Sequence, residues 1–184
     1  MISRVLPLLL CLSLFLSLAA CAEDPPRTLQ GTVTWIYDGD TLEVDTLGKV
    51  RLIGIDTPER ETSSRDQYLL DKGVSTAKQR QTYQAAKQFN IEQVKGKMVR
   101  LTLDESQRDR YGRLLVYVYL PDDRLLNRVL IEQGLAVVYR RFTFKMKDDF
   151  LAAEHNARRS GVGLWAKNRN KLVALTRGKT ETRR

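Results

Sequence analysis

Two acidic clusters on either side of a short apolar segment hold the residues best suited to chemistry. Asp38 and Asp40 flank a glycine, and Asp56 and Glu59 directly follow the apolar segment 50–55. Hard cations such as Ca²⁺ and Mg²⁺ take oxygen ligands from carboxylates and backbone carbonyls. Asp40 and Asp56 are therefore the candidate metal ligands, and Asp38 is a candidate outer ligand that acts through a water molecule.

Arginines lie close to these acids along the chain. Arg51 sits inside the apolar segment, where a guanidinium is costly unless an anion meets it. A guanidinium binds two phosphate oxygens in a fixed fork, so Arg51 and Arg113 are candidate clamps for a phosphoryl group. Glu59 is the candidate general base for an attacking water. The carbonyl of Thr57, held extended by the proline that follows, is a third candidate metal ligand.

The metal-ligand inventory narrows the choice of cation. The chain has one histidine and two cysteines, and Cys11 lies within the leader segment considered below. This argues against zinc or copper and for Ca²⁺ or Mg²⁺. Each signal alone also has a plain interpretation: Asp38 and Asp40 as turn formers, Glu59 as a surface acid, and the arginines around Arg113 as a solvated basic stretch.

Hydrophobic patterning predicts the elements that must position these side chains. Alternating apolar residues predict strands, and helical spacing with Ser75 as a cap predicts a long central helix. Strands are expected at 29–37, 41–45, 50–55, 97–103 and 111–120, and helices at 74–94, 125–133 and 147–165. The polar segment 60–72 is expected to be a loop. This order predicts an α+β, mainly β fold: a Greek-key barrel of five antiparallel strands, of the OB type, with three helices.

The first residues predict an export signal outside the fold. Residues 1–20 combine Arg4, an apolar run and small residues, which is typical of a secretory signal. The sequence before Cys21 resembles a bacterial lipoprotein signal, which would make Cys21 a lipidated residue that anchors the chain to a membrane. Cleavage after Ala22 is the alternative, and would give a periplasmic or secreted protein. We expect a tether at 21–30, one domain at 31–166 and a basic tail at 167–184.

Charge indicates the kind of partner. The formal net charge is +9, and a strongly basic domain favours a polyanionic partner such as nucleic acid or an anionic membrane. Solubility alone would also account for the charge. Nothing in the sequence indicates a protein partner, and we expect a monomer.

Taken together, the motifs resemble the thermonuclease family of staphylococcal-nuclease-like domains. The resemblance runs from about residue 32 to residue 165 with order and spacing kept. It rests on Asp38-Gly39-Asp40-Thr41, the run from Arg51 to Glu59, Asp109-Arg110-Tyr111-Gly112-Arg113, Asn127, and Glu132-Gln133-Gly134-Leu135-Ala136.

The resemblance implies a Ca²⁺-dependent nuclease that cuts DNA and RNA, single strands preferentially, and leaves 3′-phosphate ends. By match to the family motifs, Asp40, Asp56 and Thr57 would bind Ca²⁺. The catalytic residues would be Arg51, Glu59 and Arg113. Arg110 and Tyr111 would contact the nucleotide phosphate, although Tyr111 alone also reads as an aromatic of the strand core.

The chain departs from the family pattern in two places. The segment 60–73 is longer, and because it follows Glu59 it flanks the site. The family tyrosine that stacks on the nucleotide base falls on Tyr139 or Arg140, and we assign it to Tyr139. The alternative function is a non-catalytic OB-fold module that binds nucleic acid, since fold alone does not set function. Such a module would not need the carboxylates. A surface scaffold would leave the acidic cluster unexplained.

Overall fold

The computed structural model describes residues 28–167. Numbered in chain order, the strands are β1 (Thr28–Ile36), β2 (Thr41–Val44), β3 (Gly48–Leu52), β4 (Ile55–Asp56), β5 (Met98–Arg108), β6 (Leu114–Tyr119) and β7 (Val137–Val138). The helices are α1 (Asp66–Leu70), α2 (Thr76–Val94), α3 (Leu126–Glu132) and α4 (Lys147–Ser160), followed by a 3₁₀ turn at Gly163–Trp165.

Five strands close into a barrel in the order β1-β2-β3-β6-β5. The pairs are antiparallel except β3 with β6, which run parallel and complete the closure. The predicted α+β class and five-stranded OB barrel are confirmed, while the expectation that every strand pair is antiparallel is wrong. Closure of the barrel places the end of β3 beside the start of β6. Residues 51 and 113 therefore lie on the same rim of the barrel.

The core fills the barrel and extends under α3 and α4. β3 buries Val50 and Leu52 at alternate positions, most residues of β2 and β6 are buried, and α4 contributes Phe150, which is 0% exposed. The short sheet of β4 and β7 then fixes the chain beyond β3, because Asp56 pairs with Val137. The backbone N–H of Tyr139 donates to the carbonyl of Gly54 at 2.9 Å. Asp56 and Tyr139 are thereby held at one edge of the barrel.

Several boundaries differ from expectation. The strand expected at 50–55 is divided into β3 and β4 by a turn at 53–54, where Gly54 has a φ of 79°. The segment 60–72, expected to be a loop, contains α1. β5 continues to Arg108 through residues expected to form a turn, because Arg108 pairs with Leu114. The last helix ends at Ser160 rather than at 165, since Gly161 adopts a left-handed conformation with φ of 64°. β1 begins at Thr28, within the segment assigned to the tether.

The predicted signal, Cys21 and most of the basic tail lie outside the described residues. Within residues 28–167, no helix is both long and apolar enough to cross a membrane.

Candidate active site

The turn between β1 and β2 is packed tightly against two other parts of the chain. A Cβ at Gly39 would lie 2.7 Å from Thr57 Cγ2 and 2.8 Å from Ala86 Cβ, so only glycine allows this approach. From α2, buried Asn90 donates its amide to the carbonyl of Gly39 at 2.9 Å. The carboxylates that flank Gly39 are therefore held in place by the helix and by the chain after β4.

Arg51 joins the two candidate metal-binding aspartates. Its Nη1 lies 2.5 Å from Asp40 Oδ1, and its Nη2 lies 2.9 Å from Asp56 Oδ1. Asp40 is 3% exposed, and its Oδ2 also accepts the backbone N–H of Thr57 at 3.3 Å. Burial lowers the pKa of Arg51, but Asp40 and Asp56 more than offset this, so the pKa is raised overall. The anion expected for this arginine is thus a pair of carboxylates.

The carboxylates crowd one another. Burial, followed by repulsion from Asp40, raises the pKa of Asp38 from 3.8 to about 6. The same two causes, in the same order, raise the pKa of Asp56 from 3.8 to about 6, although Arg51 and Arg65 act in the opposite direction. This concentration of negative charge favours a bound cation.

Arg113 is held at the same rim by its own turn. Asp109 accepts from Arg113 Nε at 2.8 Å and from its backbone N–H at 3.0 Å. Nη1 of Arg113 lies 3.3 Å from Thr41 Oγ1, and that hydroxyl donates to Asp40 Oδ1 at 3.0 Å. Thr41 therefore links the second arginine to the carboxylate cluster. Because the guanidinium is already fixed by Asp109, it can meet an anion without losing further rotamer freedom.

Glu59 is partly exposed and forms an ion pair with an arginine of the segment 60–73. Its Oε1 lies 2.5 Å from Arg65 Nη1, and the same nitrogen lies 3.9 Å from Asp56 Oδ1. Arg65 precedes α1 and is about half exposed. The side chain of Glu59 is 38% exposed, so water reaches it. The segment 60–73 thus contributes a third arginine to the site.

These groups face a cleft of about 850 Å³ that is continuous with a smaller cavity of about 490 Å³. Arg51, Glu59, Arg65 and Arg113 line both, while Asp38 and Asp40 line the smaller one. Three arginines and the carboxylates therefore surround one solvent-filled space that is large enough for a nucleotide.

Aromatic and basic side chains form the remaining walls of the cleft. Tyr111 is 65% exposed, so its interpretation as a core aromatic is wrong. The guanidinium carbon of Arg110 lies 4.8 Å from the Tyr111 ring centroid, and that of Arg113 lies 5.5 Å from it. Tyr139 also lines the cleft, with its ring centroid 5.3 Å from that of Phe142.

The segment 60–73 adds Tyr68 to the lining of the cleft. Tyr68 of α1 accepts hydrogen bonds from Arg140 Nη1 at 2.9 Å and from Arg158 Nη2 at 3.3 Å. Both arginines also pair with Glu154, which is 1% exposed. We call this group, Tyr68 with Arg140, Glu154 and Arg158, the Glu154 junction. It ties α1 to α4 and to the chain after β7.

Every site residue named from the sequence lines the cleft or the smaller cavity. Sequence reasoning missed Arg65, and it gave no role to Asp109 or Asn90. The spacing of four residues between Asp109 and Arg113 was the available signal for an ion pair. Nothing comparable pointed to Arg65, since a polar segment has no periodicity that would direct one side chain.

The donor set fits a hard cation. Asp40 and Asp56 both reach a single positively charged group, and the chain around them offers only oxygen donors. Within residues 28–167, no cluster of three or more histidine, cysteine, aspartate or glutamate side chains is arranged to hold a metal ion. The remaining ligands of a cation would then be the Thr57 carbonyl, water and substrate oxygens, as is usual for Ca²⁺ and Mg²⁺.

A closed OB-type barrel with arginines and carboxylates on one rim defines a domain built to receive a phosphate ester. The profile of the Staphylococcal nuclease homologue family matches residues 49–167, and the chain belongs to that family.

Several relatives are similar to this chain over most of its length. An uncharacterized protein of Methanocaldococcus jannaschii is 35% identical over 147 residues, which cover 73% of this chain and 70% of the relative. A protein named an uncharacterized endonuclease in Haemophilus influenzae is 33% identical over 172 residues, 91% of this chain and 82% of the relative. The thermonuclease of Staphylococcus hyicus is 32% identical over 135 residues, 71% of this chain and 72% of the relative.

Proposed function

We propose that this chain is an endonuclease that hydrolyses phosphodiester bonds of DNA and RNA, single strands preferentially, with Ca²⁺, and leaves 3′-phosphate ends. The observation that carries the proposal is the convergence of Arg51, Arg113 and Glu59 on one cleft, beside Asp40, which is buried, and Asp56, which is partly exposed. Relatives named thermonuclease and endonuclease support it. A binding module would need a basic groove but neither the carboxylates nor a base.

The proposed reaction is an in-line displacement at phosphorus. A water oxygen forms a bond to phosphorus, Glu59 accepts the water proton, and the bond to the 5′ oxygen breaks. The 5′ oxygen leaves and takes a proton, so the phosphate stays on the 3′ side. Negative charge gathers on the equatorial oxygens, and the preorganised guanidinium groups of Arg51 and Arg113 stabilise it. Arg110 and Tyr111 bind the neighbouring phosphate, and Tyr139 stacks on a base.

The cation would be held by Asp40, Asp56 and the carbonyl of Thr57, with Asp38 acting through a water molecule. It would supply positive charge next to the phosphate oxygens. Arg51 would then have a second role as a positioning residue. It pairs with both aspartates and so keeps their carboxylates oriented in the absence of a cation.

The test is cleavage of single-stranded DNA by the purified protein lacking the first 22 residues, with Ca²⁺, with Mg²⁺ and with a chelator. We expect cleavage with Ca²⁺ only and products that end in 3′-phosphate. Glu59→Gln should lower kcat by about a hundredfold or more, as expected when a general base is lost. Asp71→Asn, an exposed carboxylate of the inserted segment, is the matched control and should retain activity. DNA binding without cleavage under any metal would instead support the binding module.

Proton binding by the carboxylates should make cation binding depend on pH. The pKa values of Asp38 and Asp56 rise from 3.8 to about 6 in the folded protein. Between these values the folded state binds more protons than the unfolded state, so these two groups lower the free energy of unfolding as pH rises. Ca²⁺ competes with those protons. At a hundredfold excess over its dissociation constant at about pH 7.5 it should add about 2.7 kcal/mol, and clearly less at about pH 5.

The measurement is thermal unfolding of the same protein at both pH values, with Ca²⁺ and with chelator. Asp40→Asn should abolish the Ca²⁺-dependent increase in Tm, whereas Asp45→Asn on the exposed turn after β2 should not change it. An equal increase in Tm at both pH values would contradict the assignment of the carboxylates as ligands.

We also propose that the protein is exported and anchored by a lipid at Cys21, as a monomer. The leader composition and the residues before Cys21 support this. Membrane fractionation of the bacterial cells checks it, because Cys21→Ser should move the protein from the membrane to the soluble exported fraction.

A further inference from the structure

Two aromatic side chains point away from the barrel because β1 contains an irregularity. The register between β1 and β2 shifts between Val33 and Trp35. Val33 is 0% exposed, whereas Trp35 is 52% exposed and Tyr37, just past the end of β1, is 37% exposed. Simple alternation would have put Val33, Trp35 and Tyr37 on one face. A bulge that turns two large aromatic side chains into solvent is a feature that proteins use to re-aim side chains.

A lysine lies over each of these rings. Lys49 Nζ is 3.9 Å from the ring centroid of Tyr37, and Lys95 Nζ is 4.8 Å from that of Trp35. The strand pairing sets Trp35 opposite Glu43 and Glu43 opposite Lys49, so the groups form a row across β1, β2 and β3. Glu43 is the acid within the row, and its Oε2 accepts the hydroxyl of Tyr37 at 2.8 Å. We call Trp35, Tyr37, Lys49 and Lys95 the Trp35 platform.

The Trp35 platform is continuous with the candidate active site. Lys49 lines the smaller cavity together with Asp40, Arg51 and Arg113. Tyr37 directly precedes Asp38 at the start of the acidic turn. A strand whose phosphate lies between the two arginines can therefore continue past Lys49 and Tyr37 towards Trp35.

Alternating aromatic rings and ammonium groups are typical of sites that bind single-stranded nucleic acid. Bases stack on aromatic faces irrespective of sequence, and basic side chains follow the backbone phosphates. Double helices offer no free base faces for stacking. The two lysines of the Trp35 platform favour a polyanion as the occupant.

We propose that the Trp35 platform is an extended binding site for the single-stranded substrate beyond the cleaved bond. Tyr37 and Trp35 stack on successive bases, while Lys49 and Lys95 leave the rings to contact phosphates. This inference rests on the proposed function, since it assumes that a nucleic acid strand occupies the cleft.

The test measures binding rather than cleavage, so that it stands apart from the test of the nuclease activity. The Glu59→Gln protein is titrated with a fluorescent DNA strand of about ten nucleotides and with a labelled dinucleotide. Adding Trp35→Ala should weaken binding of the long strand by about fivefold or more, the lower end of what one stacked base contributes. It should leave dinucleotide binding unchanged, and Trp35→Phe should restore most of the affinity because a ring is retained.

A matched control is another pair of an aromatic ring and a cation on the barrel surface. The guanidinium carbon of Arg100 lies 3.9 Å from the ring centroid of Tyr119. Tyr119 ends β6, six residues along the chain from Arg113, or roughly 20 Å in an extended strand. Tyr119→Ala should therefore leave both affinities unchanged.

Two outcomes would overturn the proposal. One is equal affinity of the Trp35→Ala and parent proteins for the long strand. The other is an equal loss with Trp35→Ala and Tyr119→Ala, which would indicate a general effect on the barrel. If the parent protein cleaves nothing but Trp35→Ala still weakens binding selectively, the proposed nuclease function fails and the Trp35 platform remains.

Discussion

Arg113→Ala should lower kcat for phosphodiester cleavage by about a hundredfold to a thousandfold, or about 2.7–4 kcal/mol of transition-state stabilisation. The guanidinium is fixed by Asp109 and by Thr41, so it meets developing charge without reorganising. Because its partners lie on the rim rather than in the core, the variant should fold. The effect should appear in kcat more than in KM, since the equatorial oxygens gain charge only in the transition state.

The matched control is Arg124→Ala, which removes the same charge from an exposed pair with Asp122 on another turn. It should change kcat little and should have a small effect on stability, because exposed ion pairs contribute little. Steady-state kinetics with a single-stranded substrate, together with an unfolding curve for each variant, makes the comparison. A kcat for Arg113→Ala within about threefold of that of the parent protein would show that this arginine does not take part in catalysis.

Asn127→Ala should lower the free energy of unfolding by about 3 kcal/mol or more, although Asn127 lies outside the cleft. Its side chain is 0% exposed and accepts the backbone N–H of Val118 at 3.0 Å. It donates to the carbonyls of Ile53 and Val116 at 3.0 and 3.1 Å. Truncation leaves buried backbone groups without this partner, and each such group costs about 1–3 kcal/mol.

Chemical denaturation measures this loss, with Asn156→Ala on the exposed side of α4 as the control. The control should change the free energy of unfolding by less than about 0.5 kcal/mol. Protein that remains folded should keep its activity, because Asn127 joins α3 to β6 and to the chain after β3 rather than contacting substrate. A loss below about 1 kcal/mol would mean that water replaces the missing amide.

The sequence predicted the part of the site that depends on local chemistry. Asp-Gly-Asp forms the turn after β1, Pro58 lies two residues beyond the end of β4, and Ser75 caps α2 by accepting from the N–H of Lys78 at 3.3 Å. Each of these signals acts within a few residues. The number of short strands predicted a five-stranded barrel, but the parallel pairing of β3 with β6 was not predicted.

The features that sequence reasoning missed depend on distant partners. α1 is polar, and it forms where Asp66, 3% exposed, pairs with Arg80 at 2.6 Å. Helical spacing predicts a buried side of α2 that includes Ala77 and Ala86, and Ala86 is buried whereas Ala77 is exposed. The polar Gln79 and Asn90 are also buried, because they bond to neighbouring backbone. A polar side chain that is buried by hydrogen bonding looks like surface in a hydrophobicity pattern.

The Glu154 junction has a consequence for how members of this family can diverge. It anchors the segment 60–73 at Tyr68, between Glu59 and the start of α2 at Ser75. Each doubling of the length of a loop costs only about 0.6 kcal/mol. Lineages can therefore lengthen, shorten or recompose the stretch between these points at little cost to the barrel, and so reshape one wall of the cleft while the arginines and aspartates stay in place.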